Sequence, residues 1–138
     1  MQLMKIMMSA IVVLSASAAQ SEDSAIILGK STFGARCSLC HGKDGKGGGE
    51  IAELFQVPPS DLTKLSERAG GKFPFSEVYG IIINGMEKKG HGGSTMPIWG
   101  EYFMSDALED RGVNATDALY IAAGRANSVA SYLESIQE

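Results

Sequence analysis

The sequence lacks the marks of several large functional classes. It carries no excess of positive charge: 12 Lys and Arg stand against 16 Asp and Glu, for a net charge of −4. A nucleic-acid-binding face needs a basic stripe, so that class is set aside. Only two cysteines occur, three positions apart. A disulfide framework needs more of them, spread along the chain. Two histidines complete the stock of strong metal ligands, and His41 sits directly beside Cys40. That adjacency makes a cramped chelate for a tetrahedral zinc site. Internal repeats, low-complexity linkers and convincing alternating strands are also missing.

Long apolar runs are equally scarce. The one near the start reads as a targeting segment. Lys5 is the only charge before Glu22, and Ile6 to Leu14 is mostly apolar. Small residues follow, including an Ala16-Ser17-Ala18 site. This is the pattern of a secretory signal peptide, with cleavage expected near Ala18 or Ala19. Ile6 to Ala19 spans 14 residues, short of the roughly 20 a membrane-spanning helix needs. No cysteine marks a lipid anchor at the cleavage site. The expected organisation is therefore a cleaved segment at 1–19 and one exported domain at 20–138, located in the periplasm, with no membrane span after cleavage.

The domain reads as all-α. A helix is expected from Ala25 to Leu39, with Ile27, Leu28, Phe33 and the cysteine pair roughly along one face. Gly42 to Gly49 holds five glycines in eight residues and must be a loop. Pro58-Pro59 forbids helix, after which Ser60-Asp61 caps a short one near Leu62 to Ala69. Pro74 to Ser76 opens another, with Val78, Tyr79, Ile82 and Ile83 inward and Asn84-Gly85 as its stop. A last helix, capped by Thr116 or Asp117, runs to about Gln137. Its apolar stripe is Leu119, Ala122, Ala126, Val129, Leu133 and Ile136, with Tyr132 alongside. About four short helices result, joined by long loops at 42–59 and 86–115. Loops of that length in a compact domain are usually functional, and a large flat apolar cofactor would give both something to wrap.

Cys37-Ser38-Leu39-Cys40-His41 supplies the chemistry. Two thiols separated by two residues suit addition to the two vinyl groups of a porphyrin, forming thioethers. The histidine that follows then faces the iron as an axial ligand. A bare Cys-x-x-Cys is shared by redox dithiols, zinc half-sites and haem; the histidine sharpens it towards haem. A thiol oxidoreductase would also call for a βαβ setting, which the pattern lacks. Export adds an independent condition, because covalent haem attachment takes place outside the cytoplasm.

For the second axial position the downstream candidates are Met86, His91, Met96 and Met104. Met96 is preferred. Pro97 drives it into extended backbone, and Gly92-Gly93-Ser94-Thr95-Met96-Pro97 is a poor core segment. His91, between glycines, reads as an exposed surface residue. Met86 and Met104 read as packing residues.

The sequence resembles the class I c-type cytochromes, of the small bacterial monohaem kind. Three stretches carry the resemblance: Gly29-Lys30-Ser31-Thr32-Phe33 with Cys37 to Gly42; Ile82-Ile83-Asn84-Gly85 with Met96-Pro97-Ile98-Trp99-Gly100; and Val129-Ala130-Ser131-Tyr132-Leu133. It implies a cytochrome c fold around one covalently attached haem c, with His41 and Met96 as the axial pair. It further implies that the first and last helices cross near Gly29, Phe33 and Tyr132. A proline carbonyl, from Pro58 or Pro59, would accept from the His41 ring. Lys88 to His91 and the stretch from Glu101 to Ala115 are longer than in minimal members.

Function would follow from ligation. With both axial positions filled by protein, the iron has no open site for a substrate, so no catalytic residue and no enzyme activity is expected. His/Met ligation raises the potential, and the expected role is single-electron shuttling between redox partner proteins. The alternatives are a haem subunit of a larger redox complex, or a haem enzyme or gas sensor with a labile sixth ligand. Tyr79 and Trp99 are read evenly as pocket or core. Arg36, Lys43, Lys46, Lys88 and Lys89 form a candidate basic rim, with acidic Glu101, Asp106, Glu109, Asp110 and Asp117 elsewhere. An ordinary solvated surface is the preferred reading of both.

Overall fold

The structure is a computed structural model that describes residues 16–86 and 96–138, with side chains from residue 24 onward. The beginning of the expected signal segment (1–15) and Lys88, Lys89 and His91 lie outside the described residues. Among those described, the chain is all-α, with no strand. Its helices are α1 (Ala16–Arg36), α2 (Ser38–His41), α3 (Leu65–Arg68), α4 (Phe75–Asn84), α5 (Trp99–Arg111) and α6 (Ala115–Ser135). Short 3-10 turns at Ala52–Leu54 and Leu62–Lys64 punctuate the loops. None of the described helices is long and apolar enough to cross a membrane.

Two long helices, α1 and α6, form the frame, each of 21 residues. They cross where α1 has no side chain. A Cβ on Gly29 would collide with the carbonyl of Ser128 and come within 2.8 Å of Tyr132 Cβ. Four residues on, one helical turn, Phe33 packs on Tyr132 at 5.3 Å between ring centroids. The crossing is the one the resemblance implies. At the crossing α6 presents Ser128 and Tyr132, and elsewhere on the same helix a row of alanines four apart, Ala118, Ala122, Ala126 and Ala130, is fully buried in the core. Small residues along an i±4 row let neighbouring backbones approach closely. Val129, Tyr132 and Leu133 fill the remaining space.

This geometry corrects the expected stripe on α6. Leu119 is 56% exposed, and its neighbour Ala118 takes the inward position. The cap is corrected too. Asn114, not Thr116 or Asp117, ends the preceding loop, and its side chain accepts from the Asp117 amide. That is a direct N-cap, worth about 1 kcal/mol.

The expected 86–115 loop is interrupted by α5, which raises the helix count above the expected four. Its inward face is Trp99, Phe103, Met104 and Ala107, a short stripe set among polar residues and preceded by the Met96-Pro97 loop. Gly112, in the left-handed conformation (φ 61°), ends it. Helix α4 matches its expected bounds: Val78 and Ile82 are buried, Tyr79 and Ile83 pack partly against the core, and Gly85 (φ 78°) closes it. The first helix departs at both ends. It begins at Ala16, before the expected Ala25, and it stops at Arg36, so the cysteine pair lies on a separate turn.

Candidate functional site

Cys37 stands at the break between α1 and α2, with φ −107° and ψ −32°. Its amide still donates to the Phe33 carbonyl at 2.8 Å, so the motif leaves α1 in helical register. The next turn tightens. Cys40 and His41 both donate to the Cys37 carbonyl, at 3.2 and 2.9 Å, and Gly42 donates to Ser38 at 2.8 Å. The Ser38 hydroxyl reaches back to the Gly34 carbonyl at 2.7 Å. Cys37, Cys40 and His41 are thus held on one short, doubly pinned turn.

The glycine-rich loop exists to fold back on that turn. Gly47 donates to His41 O at 2.8 Å, Gly49 to Cys40 O at 3.1 Å and Ile51 to Leu39 O at 3.2 Å. The approach requires glycine: a Cβ on Gly49 would strike the Leu39 carbonyl, and one on Gly47 would strike the Pro59 carbonyl. Gly47 also has φ 90°, a left-handed value that disfavours other residues.

The second contact comes from 19 residues away. His41 Nδ1 donates to the Ser60 carbonyl at 3.0 Å. A carbonyl has no proton to give, so the bond fixes the neutral ring with its hydrogen on Nδ1. The lone pair then lies on Nε2, the tautomer a metal ligand needs. The resemblance places this carbonyl on Pro58 or Pro59. The structure places it on Ser60, because the Pro59 carbonyl faces Gly47 instead. Burial lowers the His41 pKa, and the Ser60 bond pulls it back upward. Burial is the larger of the two, so the net shift is downward and the imidazole stays neutral and able to bind a metal near neutral pH.

Ser60 is itself braced from the far end of the chain. Leu62 donates to Gly45 O at 2.7 Å. The Gln137 amide clamps the same segment: Nε2 donates to Leu62 O at 2.8 Å and to Leu133 O at 2.7 Å, and Oε1 accepts from Ser66 N at 2.8 Å. Nothing in the sequence marks Gln137 or the Ser60 carbonyl for this role. At roughly 1 kcal/mol net for each of the three hydrogen bonds, Gln137→Ala should lose about 3 kcal/mol of unfolding free energy. Urea denaturation of the protein checks this, and an unchanged midpoint would remove Gln137 from the brace.

The thiols are free and half-buried, with no disulfide between them. Burial, with Cys40 alongside, pushes the Cys37 thiol up to about 12. Thiol–disulfide exchange needs the opposite, a depressed thiol pKa. Among the described residues no three His, Cys, Asp or Glu side chains converge as a metal cluster. The dithiol and zinc readings therefore gain nothing from the geometry.

Met96 sits half-buried at a bend, two residues ahead of the extended Ile98. No hydrogen bond among the described residues ties it to the Cys37–His41 turn. The loop that carries it is closed at its base. A Cβ on Gly85 would lie 3.1 Å from Ile98, and one on Gly100 would strike the Ile83 carbonyl. Of the rival methionines, Met104 packs against the core as expected, whereas Met86 is 43% exposed and does not. Trp99 and Tyr79 both pack against the core cluster. The proposed basic rim is partly consumed: Lys46 pairs with Glu138 at 2.7 Å and Arg36 with Asp106 at 3.5 Å.

Large apolar side chains crowd the surface of the two loops and the motif. Leu39, Leu54, Val57, Met86 and Ile98 are all well exposed. With two free thiols and a bare Nε2, this is a donor set and an apolar lining that suit a flat apolar group attached through sulfur. No protein-family model matches the chain, and neither the curated proteins nor the solved structures yield a significant match.

Proposed function

We propose that this chain is an exported class I c-type cytochrome, a monohaem carrier of single electrons. The observation that carries the reading is the Cys37–His41 turn, with His41 Nδ1 engaged by Ser60 and Nε2 left for a metal. When bound, haem c supplies a one-electron iron couple at this site. Cys37 and Cys40 would hold it through thioethers, and His41 would bind its iron. Ser60 orients the imidazole and raises its basicity, as a carbonyl partner does for ligating histidines generally. Met96 would supply the second protein donor, from a loop whose base Ile98 and Gly100 close. The exposed apolar side chains of the motif and loops would exclude water around the bound group and lower the local dielectric.

A thioether donor paired with an imidazole would favour the reduced state. With both donors engaged no site for a substrate would be left, and the protein would act by exchanging electrons with partner proteins in the periplasm. Cleavage near Ala18 or Ala19 would shorten α1 and leave its crossing at Gly29 intact.

The optical spectrum of the oxidised protein tests the ligand set. The wild type should show the weak sulfur-to-iron charge-transfer band and fail to bind carbon monoxide when reduced. Met96→Ala should lose the band and bind carbon monoxide. A band that survives the substitution would exclude Met96, and ready carbon monoxide binding by the wild type would overturn the simple carrier.

A further inference from the structure

The helix that follows Met96 seats a short apolar face, Trp99, Phe103, Met104 and Ala107, against the core. Beside that face its middle is also held by charge. Asp106 accepts a hydrogen bond from Arg125 of α6 and forms an ion pair with Arg36 of α1 at 3.5 Å. The Asp106 and Arg125 side chains are only 13% and 16% exposed. Both cations are also fixed by rings of α5: Arg125 lies 5.6 Å from the Phe103 centroid and Arg36 lies 4.7 Å from Tyr102. The Arg125 hydrogen bond, assisted by Arg36, holds the Asp106 carboxyl below the usual carboxylate range, so it stays charged near neutral pH. Arg36 is the last residue of α1, bonded directly to Cys37.

One carboxylate thus joins the residue before the first cysteine to the helix that begins three residues after Met96. We propose that Asp106 is a positioning residue: by locking α5 to the end of α1 and to α6, it sets where Met96 stands relative to His41. This rests on the cytochrome reading above. Asp106 and Arg125 are largely shielded from water while Arg36 lies at the exposed rim, so removing the carboxylate leaves a shielded Arg125 without its partner.

The test uses the full chain as exported, with Asp106→Asn, which keeps the shape, and Asp106→Ala. Covalent haem, measured by staining after denaturation, should equal wild type, since Cys37, Cys40 and His41 are untouched. The oxidised variants should lose the sulfur-to-iron band, and the reduced variants should bind carbon monoxide. Amide exchange over residues 99–111 should accelerate about tenfold, as expected when a buried charged partner is removed from a local opening equilibrium. Variants that keep the band, the inertness to carbon monoxide and wild-type exchange would overturn the proposal. If the wild type itself lacks the band, Met96 ligation is what has failed. Exchange then decides the clamp alone: acceleration confined to α5 upholds Asp106 as its lock, and unchanged exchange removes it.

Discussion

Gly29→Ala should destabilise the protein by about 3 kcal/mol or more, the upper end of overpacking costs. The added methyl would meet the Ser128 carbonyl, which is backbone within α6 and has no rotamer to escape through. Relief requires α1 and α6 to separate, which would unseat Phe33 from Tyr132. Each of those side chains contributes roughly 1.5–3 kcal/mol by burial. The internal control is Gly34→Ala on the same helix. Nothing lies within 4 Å of the Cβ it would gain. There the entropic cost of glycine in a helix is recovered, and stability should rise by about 0.5–1 kcal/mol. Paired urea curves measure both. Equal midpoints for Gly29→Ala and wild type would mean that the helices do not meet at this residue.

Cys37→Ala with Cys40→Ala should abolish covalent haem altogether, while leaving the chain helical. The thiols make no structural bond to each other, and neither anchors the core cluster alone. Haem-dependent staining of the denatured protein should fall to background, with far-ultraviolet circular dichroism retained. Haem that stays with the denatured double variant would show attachment elsewhere and contradict the role given to the pair. The single variants separate their contributions: either should leave one thioether at most.

How much of this was legible in the sequence varied with how each feature is encoded. Helix α4 announces itself, because Val78, Tyr79, Ile82 and Ile83 repeat at helical spacing and Gly85 stops them. Helix α5 does not, because its short apolar face of Trp99, Phe103, Met104 and Ala107 is interleaved with polar residues and completed by a carboxylate. On α6 the row of small residues Ala118, Ala122, Ala126 and Ala130 points inward and is fully buried. A reading weighted by hydrophobic size therefore puts Leu119 inside and misses Ala118. The motif from Cys37 to His41 is written in side chains and can be read directly. The Ser60 carbonyl is backbone, and a backbone acceptor carries no residue signature; Pro58-Pro59 locates its loop but not its register. Gln137 and Asp106 act across more than 70 residues and between three helices respectively, separations that no local pattern spans.

The three-way geometry at His41 still leaves one claim above the others: that the two thiols carry haem. The most direct measurement is the intact mass of the wild-type protein recovered from the periplasm of a host that attaches haem to exported chains. The account predicts the mature polypeptide plus one haem, retained under denaturation. The mass of the bare polypeptide, with two free thiols or with the two hydrogens lost to a disulfide, would contradict it.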